Sequence, residues 1–122
     1  VYRVLGEDTK MWSDVQFTKT GDKYEARVIW LEKTTDEKGN PILDINNPDP
    51  ELRKQPANKI RVIWGITYDE KKDVWTGGKV YNPVDGKVYD VQVSFDKPDT
   101  LKIRGYVGSP MFGRSLFWSR KK

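Results

Sequence analysis

The sequence predicts an all-β fold, a single domain over residues 1–122 that forms an eight-stranded antiparallel up-and-down barrel. Short runs of β-branched and aromatic residues recur along the chain and are separated by turns rich in Gly, Pro, Asn and Asp, a pattern typical of barrels and sandwiches. Most connections are too short for the crossover that parallel strands need, so neighbouring strands are expected to be antiparallel. Apolar and polar side chains alternate within several runs, which gives the sheet one dry face.

Eight strands are predicted in chain order, at residues 2–5, 15–19, 24–31, 60–68, 74–81, 87–95, 100–107 and 114–120. Eight antiparallel strands can close on themselves and remove both sheet edges, leaving an interior that side chains fill or that holds one small ligand. Alternation alone does not distinguish a closed barrel from two stacked sheets, so a sandwich is the alternative fold.

The segment 32–59 is too long for a hairpin loop and contains one predicted short helix, NPDPELRK at 47–54. Asn47 is placed to cap this helix, Pro48 suits its first position, and Arg53 suits its negative end. A long excursion of this kind is either a binding element or packs against the barrel. The side-chain oxygens at 44–51 have the chemistry of a Ca²⁺ site, but they lack EF-hand spacing and turn capping accounts for them, so no metal is predicted.

Composition excludes several function classes. The chain has no His and no Cys, so it holds no Ser-His-Asp triad, no thiolate nucleophile, no ordinary zinc site and no disulfide. The 22 Lys and Arg against 18 Asp and Glu give a net charge of +4, but the signs are interleaved, which argues against a nucleic-acid partner. No apolar run approaches the roughly 20 residues of a transmembrane helix. We expect no cofactor and no enzymatic activity; a carboxylate-based hydrolase is the weakest alternative.

An ordered set of motifs resembles a known family over residues 15–120. The motifs are DINNPDPELR at 44–53, IWG at 63–65, WTGGKVYNP at 75–83, DGK at 85–87, LKIRGYVG at 101–108, GR at 113–114 and WSR at 118–120. Together they resemble the small secreted bacterial family called domain of unknown function 2147. The resemblance implies a lipocalin-like (calycin) barrel, a periplasmic or secreted location after removal of a signal peptide, and no established activity.

Two further residues are predicted by the same resemblance to close the barrel. Calycin barrels commonly place an aromatic residue of the first strand under a basic residue of the last, and Tyr2 and Arg120 occupy these positions. We expect a structural cation–π contact between them.

The dry face predicts a ligand site in the lumen. The candidate ligand-binding residues are Trp30, Trp64, Trp75, Tyr89, Phe95, Arg114 and Trp118. Their aromatic rings suit a small apolar ligand, and Arg114 would bind the anionic end of an amphipathic one. The same rings would also make a solid core. The alternative function is therefore an envelope interaction module with a filled barrel, which would contact partner proteins through segment 32–59 and the tip at 109–112.

Overall fold

Eight antiparallel strands close into a barrel in which each strand pairs with its neighbour in sequence. The computed structural model describes residues 1–5, 11–35, 37–83, 85–107 and 113–120. Its strands are β1 Tyr2–Leu5, β2 Trp12–Thr20, β3 Lys23–Leu31, β4 Arg61–Asp69, β5 Val74–Asn82, β6 Lys87–Lys97, β7 Thr100–Tyr106 and β8 Gly113–Arg120. The closed order confirms the predicted barrel and excludes the two-sheet sandwich.

The eight predicted strands are all present, and their ends differ by a few residues. The largest difference is at β2, which begins at Trp12 because that end of the strand pairs with β1, where Trp12 is opposite Leu5 and Asp14 is opposite Arg3. The barrel closes where β1 meets β8, through the register pairs Tyr2 with Arg120 and Arg3 with Ser119.

The core occupies the middle of the barrel interior. Ala26, Ile63 and Val91 have no exposed surface, and Val93 and Ile103 are each 2% exposed. These residues come from β3, β4, β6 and β7, whose dry faces meet in one core, as period-two alternation requires.

Two aromatic residues that were predicted to face the interior face outward, because the strands contain bulges. The β2–β3 register shifts at Asp14 and Val15, and as a result Trp30 lies opposite Asp14 rather than continuing the inward row of β3. Trp64 of β4 lies opposite Lys79, whose side chain is exposed. A bulge adds one residue to a strand and so reverses the face that later side chains use. In β3 the bulge precedes Trp30 and turns it outward. In β4 the irregularity lies between Ile63 and Ile66, so Trp64 does not share the inward face of Ile66 as simple alternation predicts.

The predicted helix at 47–54 corresponds to two short 3₁₀ turns, Leu52–Lys54 and Ala57–Lys59. The helix does not begin at Pro48 because side chains hold the chain in turns there: Asn47 Oδ1 accepts the N–H of Asp49, and Asp49 Oδ1 accepts the N–H of Glu51. Such local side-chain bonds compete with helical ones.

The excursion 32–59 is fastened to the barrel. The Tyr81 hydroxyl donates a 2.7 Å hydrogen bond to the buried carboxylate of Asp44, and Asn46 donates to the carbonyl of Pro83 in the β5–β6 turn. Within the described ranges, no helix has the length and apolar character that crossing a bilayer would require. The predicted contact tip at 109–112 lies outside the described residues.

Candidate functional site

One end of the barrel contains an apolar cup. The β2–β3, β4–β5 and β6–β7 hairpins turn at this end, which we call the hairpin end, and β1 begins and β8 ends there. The cup has a volume of about 140 Å³. Its eight lining residues are all aliphatic or aromatic: Tyr2, Phe17, Tyr24, Ile66, Trp75, Val93, Phe95 and Leu101.

Strand register brings these side chains together. Tyr24 lies opposite Ile66, Trp75 lies opposite Val93, and Phe95 lies opposite Leu101. Directly opposed residues share a face and have Cβ atoms about 4.5–5.5 Å apart. The cup is therefore built from paired inward positions next to the hairpin turns.

Edge-to-face ring contacts shape the aromatic wall. The ring centroids of Trp75 lie 6.2 Å from Tyr24 and 5.7 Å from Phe95, with interplanar angles of 84° and 73°. Across the cup, Tyr2 and Phe17 make a similar contact at 5.7 Å and 87°. Edge-to-face pairs are the favoured aromatic geometry and contribute about 0.5–1.5 kcal/mol beyond their buried area. They hold the wall in place without filling the space in front of it.

The cup has an aliphatic floor and an open rim. Ile66, Val93 and Leu101 are almost completely buried, whereas Phe95 at the rim is 51% exposed. Beside the cup, the buried Trp118 ring contacts Phe17 at 6.1 Å. The Trp118 indole N–H is enclosed and has no hydrogen-bond partner among the described residues.

Two cationic side chains lie at the mouth. The Lys19 ammonium is 5.6 Å from the centroid of the Tyr24 ring. Arg120 is the cross-strand partner of Tyr2 and is exposed. Tyr2 and Arg120 are therefore neighbours at the strand junction that closes the barrel. The predicted cation–π contact between them is not among the ring contacts of the described cations, which are made by Arg3, Lys19 and Arg61.

The structure brings two of the predicted ligand-binding residues, Trp75 and Phe95, into the cup together with Tyr2, and a third predicted ligand-binding residue, Trp118, lies beside it. The other predicted tryptophans are on the outer surface under arginines. The Arg3 guanidinium lies 5.2 Å from the centroid of Trp30, and Arg61 lies 4.8 Å from that of Trp64.

The remaining predicted residues lie at the end of the barrel away from the cup. Tyr89 donates a 2.6 Å hydrogen bond to Asp85 in the β5–β6 turn. Arg114 is opposite Gly105, near the start of β8. The structure thus separates Tyr89 and Arg114 from the cup that Trp75 and Phe95 line.

Sequence reasoning did not select most of the cup. Phe17, Tyr24, Ile66, Val93 and Leu101 line it but were assigned only to strands or to the general core. The signal that could have found them is their shared position, on the inward face within a few residues of a predicted hairpin turn at the same end of the barrel.

The oxygen-bearing residues of the 44–51 segment serve the fold of the excursion. Asp44 accepts hydrogen bonds from Tyr81 and from the Asn47 amide, which lies 2.9 Å away. Burial, the hydrogen bond to Asp44 and the charge of that carboxylate raise the pKa of the Tyr81 hydroxyl. No group of three or more acidic side chains suited to a metal ion occurs in the part of the chain that the structure describes.

A second acidic group also has an altered pKa. Partial burial opposes ionisation of Asp85, but hydrogen bonds from the Tyr89 hydroxyl and the Lys87 backbone N–H outweigh it and lower the pKa of the Asp85 carboxyl. Asp85 lies in the β5–β6 turn, and no carboxylate lines the cup. The cup therefore offers apolar contact and no acid–base pair.

Comparisons with known proteins agree with this fold. The model of a family described as uncharacterized protein conserved in bacteria (DUF2147) matches residues 4–120. The structure is similar to that of protein HP1028 from the human pathogen Helicobacter pylori, which belongs to the lipocalin family, with a TM-score of 0.78 and 27% sequence identity. That match covers 99% of this chain and 80% of the other. A search of curated proteins gave no match.

Proposed function

The chain belongs to the bacterial DUF2147 family and has a lipocalin-like fold, and on this basis we propose that it is a non-catalytic binding module that takes a small, largely apolar group into the apolar cup. The observation that carries the proposal is an open cavity of about 140 Å³ lined only by aliphatic and aromatic side chains. Small barrels of this architecture either fill their interior or hold one small ligand, and a filled interaction module has no need of such a cup.

The volume sets the size of the bound group. An enclosed apolar cavity of about 150 Å³ accepts benzene or xenon, and the cup, which is open at its rim, has nearly the same volume. The cup therefore suits one aromatic ring or an equally short aliphatic chain. We expect a dissociation constant on the order of 0.1–1 mM for a single apolar ring, which corresponds to roughly 4–5.5 kcal/mol of binding free energy.

Toluene titration followed by amide NMR tests this proposal. We expect saturable shifts at Ile66, Val93 and Leu101, because these residues form the floor. Val93→Phe, which places a ring in the cup, is expected to abolish binding. Val80→Phe is the matched control, since Val80 faces the interior opposite Ile63 and does not line the cup. Absence of saturable shifts in the wild type, or equal binding by Val93→Phe, would contradict the proposal.

We also propose that the protein acts in the periplasm or outside the cell. The support is the resemblance to secreted bacterial proteins. Fractionation of a Gram-negative cell that expresses the complete gene product tests this: we expect it with the periplasmic or secreted proteins, and recovery with the cytoplasmic fraction would contradict the proposal.

A further inference from the structure

The cup is apolar, but cationic side chains lie at its mouth, and this difference indicates that the ligand has one apolar end and one polar end. We propose that the ligand is an amphipathic monoanion, whose ring or short chain occupies the cup and whose carboxylate lies at the mouth against Arg120 and Lys19. This inference rests on the proposed function of the cup and adds the chemistry of the ligand's polar end.

The position of Arg120 supports the first contact. Arg120 follows Trp118 by two residues on β8, so both side chains use the same face of the strand, and Trp118 is buried in the interior. Its cross-strand partner is Tyr2, which lines the cup. Opposed side chains begin about 5 Å apart, so the Arg120 guanidinium starts from the rim beside Tyr2.

Lys19 lies on another side of the same mouth. It is the register partner of Tyr24, and its ammonium lies over the face of the Tyr24 ring. An ammonium over an aromatic face is held weakly and keeps its remaining hydrogen-bond donors available. A carboxylate emerging from the cup therefore has a cation beside each of these two lining rings.

Neither cation forms a salt bridge with another residue that the structure describes. The salt bridges there are made by Arg3, Arg27, Arg61 and Lys79. Three acidic side chains of the hairpin turns have partners close by in the chain: Asp69 accepts backbone N–H groups of its own turn, Asp73 accepts the Tyr68 hydroxyl, and Asp99 accepts the Thr100 hydroxyl. The geometry thus favours an external anion as the partner of Arg120 and Lys19.

The orientation of the ligand follows from the same residues. The floor is aliphatic and provides no charged group, so a carboxylate placed there would lose its hydration without compensation. At the mouth it keeps contact with water and gains the two cations. The cation that the sequence singled out for this role, Arg114, lies near the start of β8, while the cup lies near its end.

A matched series of three ligands tests the inference. Hydrocinnamate, hydrocinnamyl alcohol and phenylpropylamine present the same ring with an anionic, neutral or cationic end. Exposed ion pairs contribute about 0.2–1 kcal/mol each, so two of them should make hydrocinnamate bind about two- to thirtyfold more tightly than the alcohol. The amine should bind more weakly than the alcohol. Calorimetry or NMR titration at low ionic strength measures these ratios, and added salt should reduce them.

Charge-removing variants identify the cations responsible. Arg120→Gln and Lys19→Gln should each lower the affinity for hydrocinnamate more than the affinity for the alcohol, and so lower the preference for the anionic ligand. Arg114→Gln, the control at the other end of β8, should leave the preference intact.

The outcomes separate this inference from the proposed function. If all three ligands bind equally and Val93→Phe abolishes their binding, the cup is a binding site but the anion preference is wrong. The same conclusion follows if neither Arg120→Gln nor Lys19→Gln changes the preference. If none of the three ligands binds to the wild type, both proposals are overturned.

Discussion

Tyr81 fastens the excursion to the barrel. Its side chain is 5% exposed, and its hydroxyl donates to Asp44, which is 2% exposed. The carboxylate also accepts from Asn47, so two donors from different parts of the chain satisfy one buried anion. The DINNPDPELR motif therefore serves to build and anchor the excursion.

Replacing Tyr81 with Phe is expected to lower the free energy of unfolding at pH 7 by about 1–3 kcal/mol, because a buried acceptor loses one of its donors. Urea denaturation measures this change. Tyr24→Phe is the control, because Tyr24 contacts the cup through its ring. A loss no larger than that of Tyr24→Phe would contradict the role given to the Tyr81 hydroxyl.

The Tyr81–Asp44 bond also predicts a pH dependence on the alkaline side. Burial is the main cause that raises the pKa of Tyr81 above its ordinary value of 10.0, and the hydrogen bond to the charged Asp44 carboxylate raises it further. A group whose pKa is raised by folding contributes stability that is complete below the unfolded-state pKa and is lost as the pH rises above it. The stability difference between wild type and Tyr81→Phe should therefore shrink above pH 10. A difference that is constant between pH 7 and 11 would contradict this assignment.

At the residue scale, sequence reasoning predicted only part of the site. Trp75 and Phe95 were selected because they are aromatic and lie in predicted strands, and Phe95 also belongs to a run of alternating apolar and polar residues. Trp30 and Trp64 satisfied the same criteria and still lie outside, because the bulges in β3 and β4 depend on register with neighbouring strands. Gly65, directly after Trp64, has a positive φ of 75° and marks one irregularity. A single Gly in a strand does not show on which face of the sheet the neighbouring side chains lie.

At the element scale, strands were predicted well and the excursion less well. The strands depend on alternation and turn residues, which are local signals. The helix predicted at 47–54 is roughly matched by short 3₁₀ turns, and it starts later than predicted because the Asn47 and Asp49 side chains compete with the helical backbone. The position of the excursion depends on tertiary contacts with Tyr81 and the β5–β6 turn, to which no local pattern points.

Close packing between the excursion and the β5–β6 turn gives an element-scale prediction. A Cβ on Gly86 would lie 1.9 Å from the carbonyl oxygen of Asn46, whereas a Cβ on Gly21 would meet nothing within 4 Å. Both glycines have positive φ, 70° and 65°, so alanine at either position incurs a similar backbone cost of about 1 kcal/mol.

Gly86→Ala should therefore destabilise the protein clearly more than Gly21→Ala, by a further 1–3 kcal/mol for the displaced contact, which is the usual cost of overpacking. Thermal or urea unfolding of the two variants measures the difference. Equal destabilisation would show that the excursion does not pack against this turn.

At the scale of the whole molecule, the barrel is packed in its middle and open at the hairpin end. Val91 and Val93 illustrate the contrast, since both face inward on β6 and are 0% and 2% exposed, but only Val93 lines the cup. This uneven packing could not be predicted from the sequence, because cavity volume depends on how side chains from several strands fit together.

The contrast predicts that a larger side chain destabilises the protein at Val91 more than at Val93. Val91→Phe should cost about 1–3 kcal/mol because it overpacks a filled region. Val93→Phe should cost less than about 1 kcal/mol because the cup receives the added ring. Chemical denaturation compares the two, and an equal cost at both positions would argue for a filled interior.

Xenon binding tests the central claim, that the hairpin end holds an open apolar cup, most directly. Crystals of the wild-type protein pressurised with xenon should show a xenon atom among Ile66, Val93 and Leu101, since apolar cavities of this size take up xenon. The Val93→Phe variant should show none. Wild-type crystals with side chains filling this space, or with hydrogen-bonded water in place of xenon, would contradict the account.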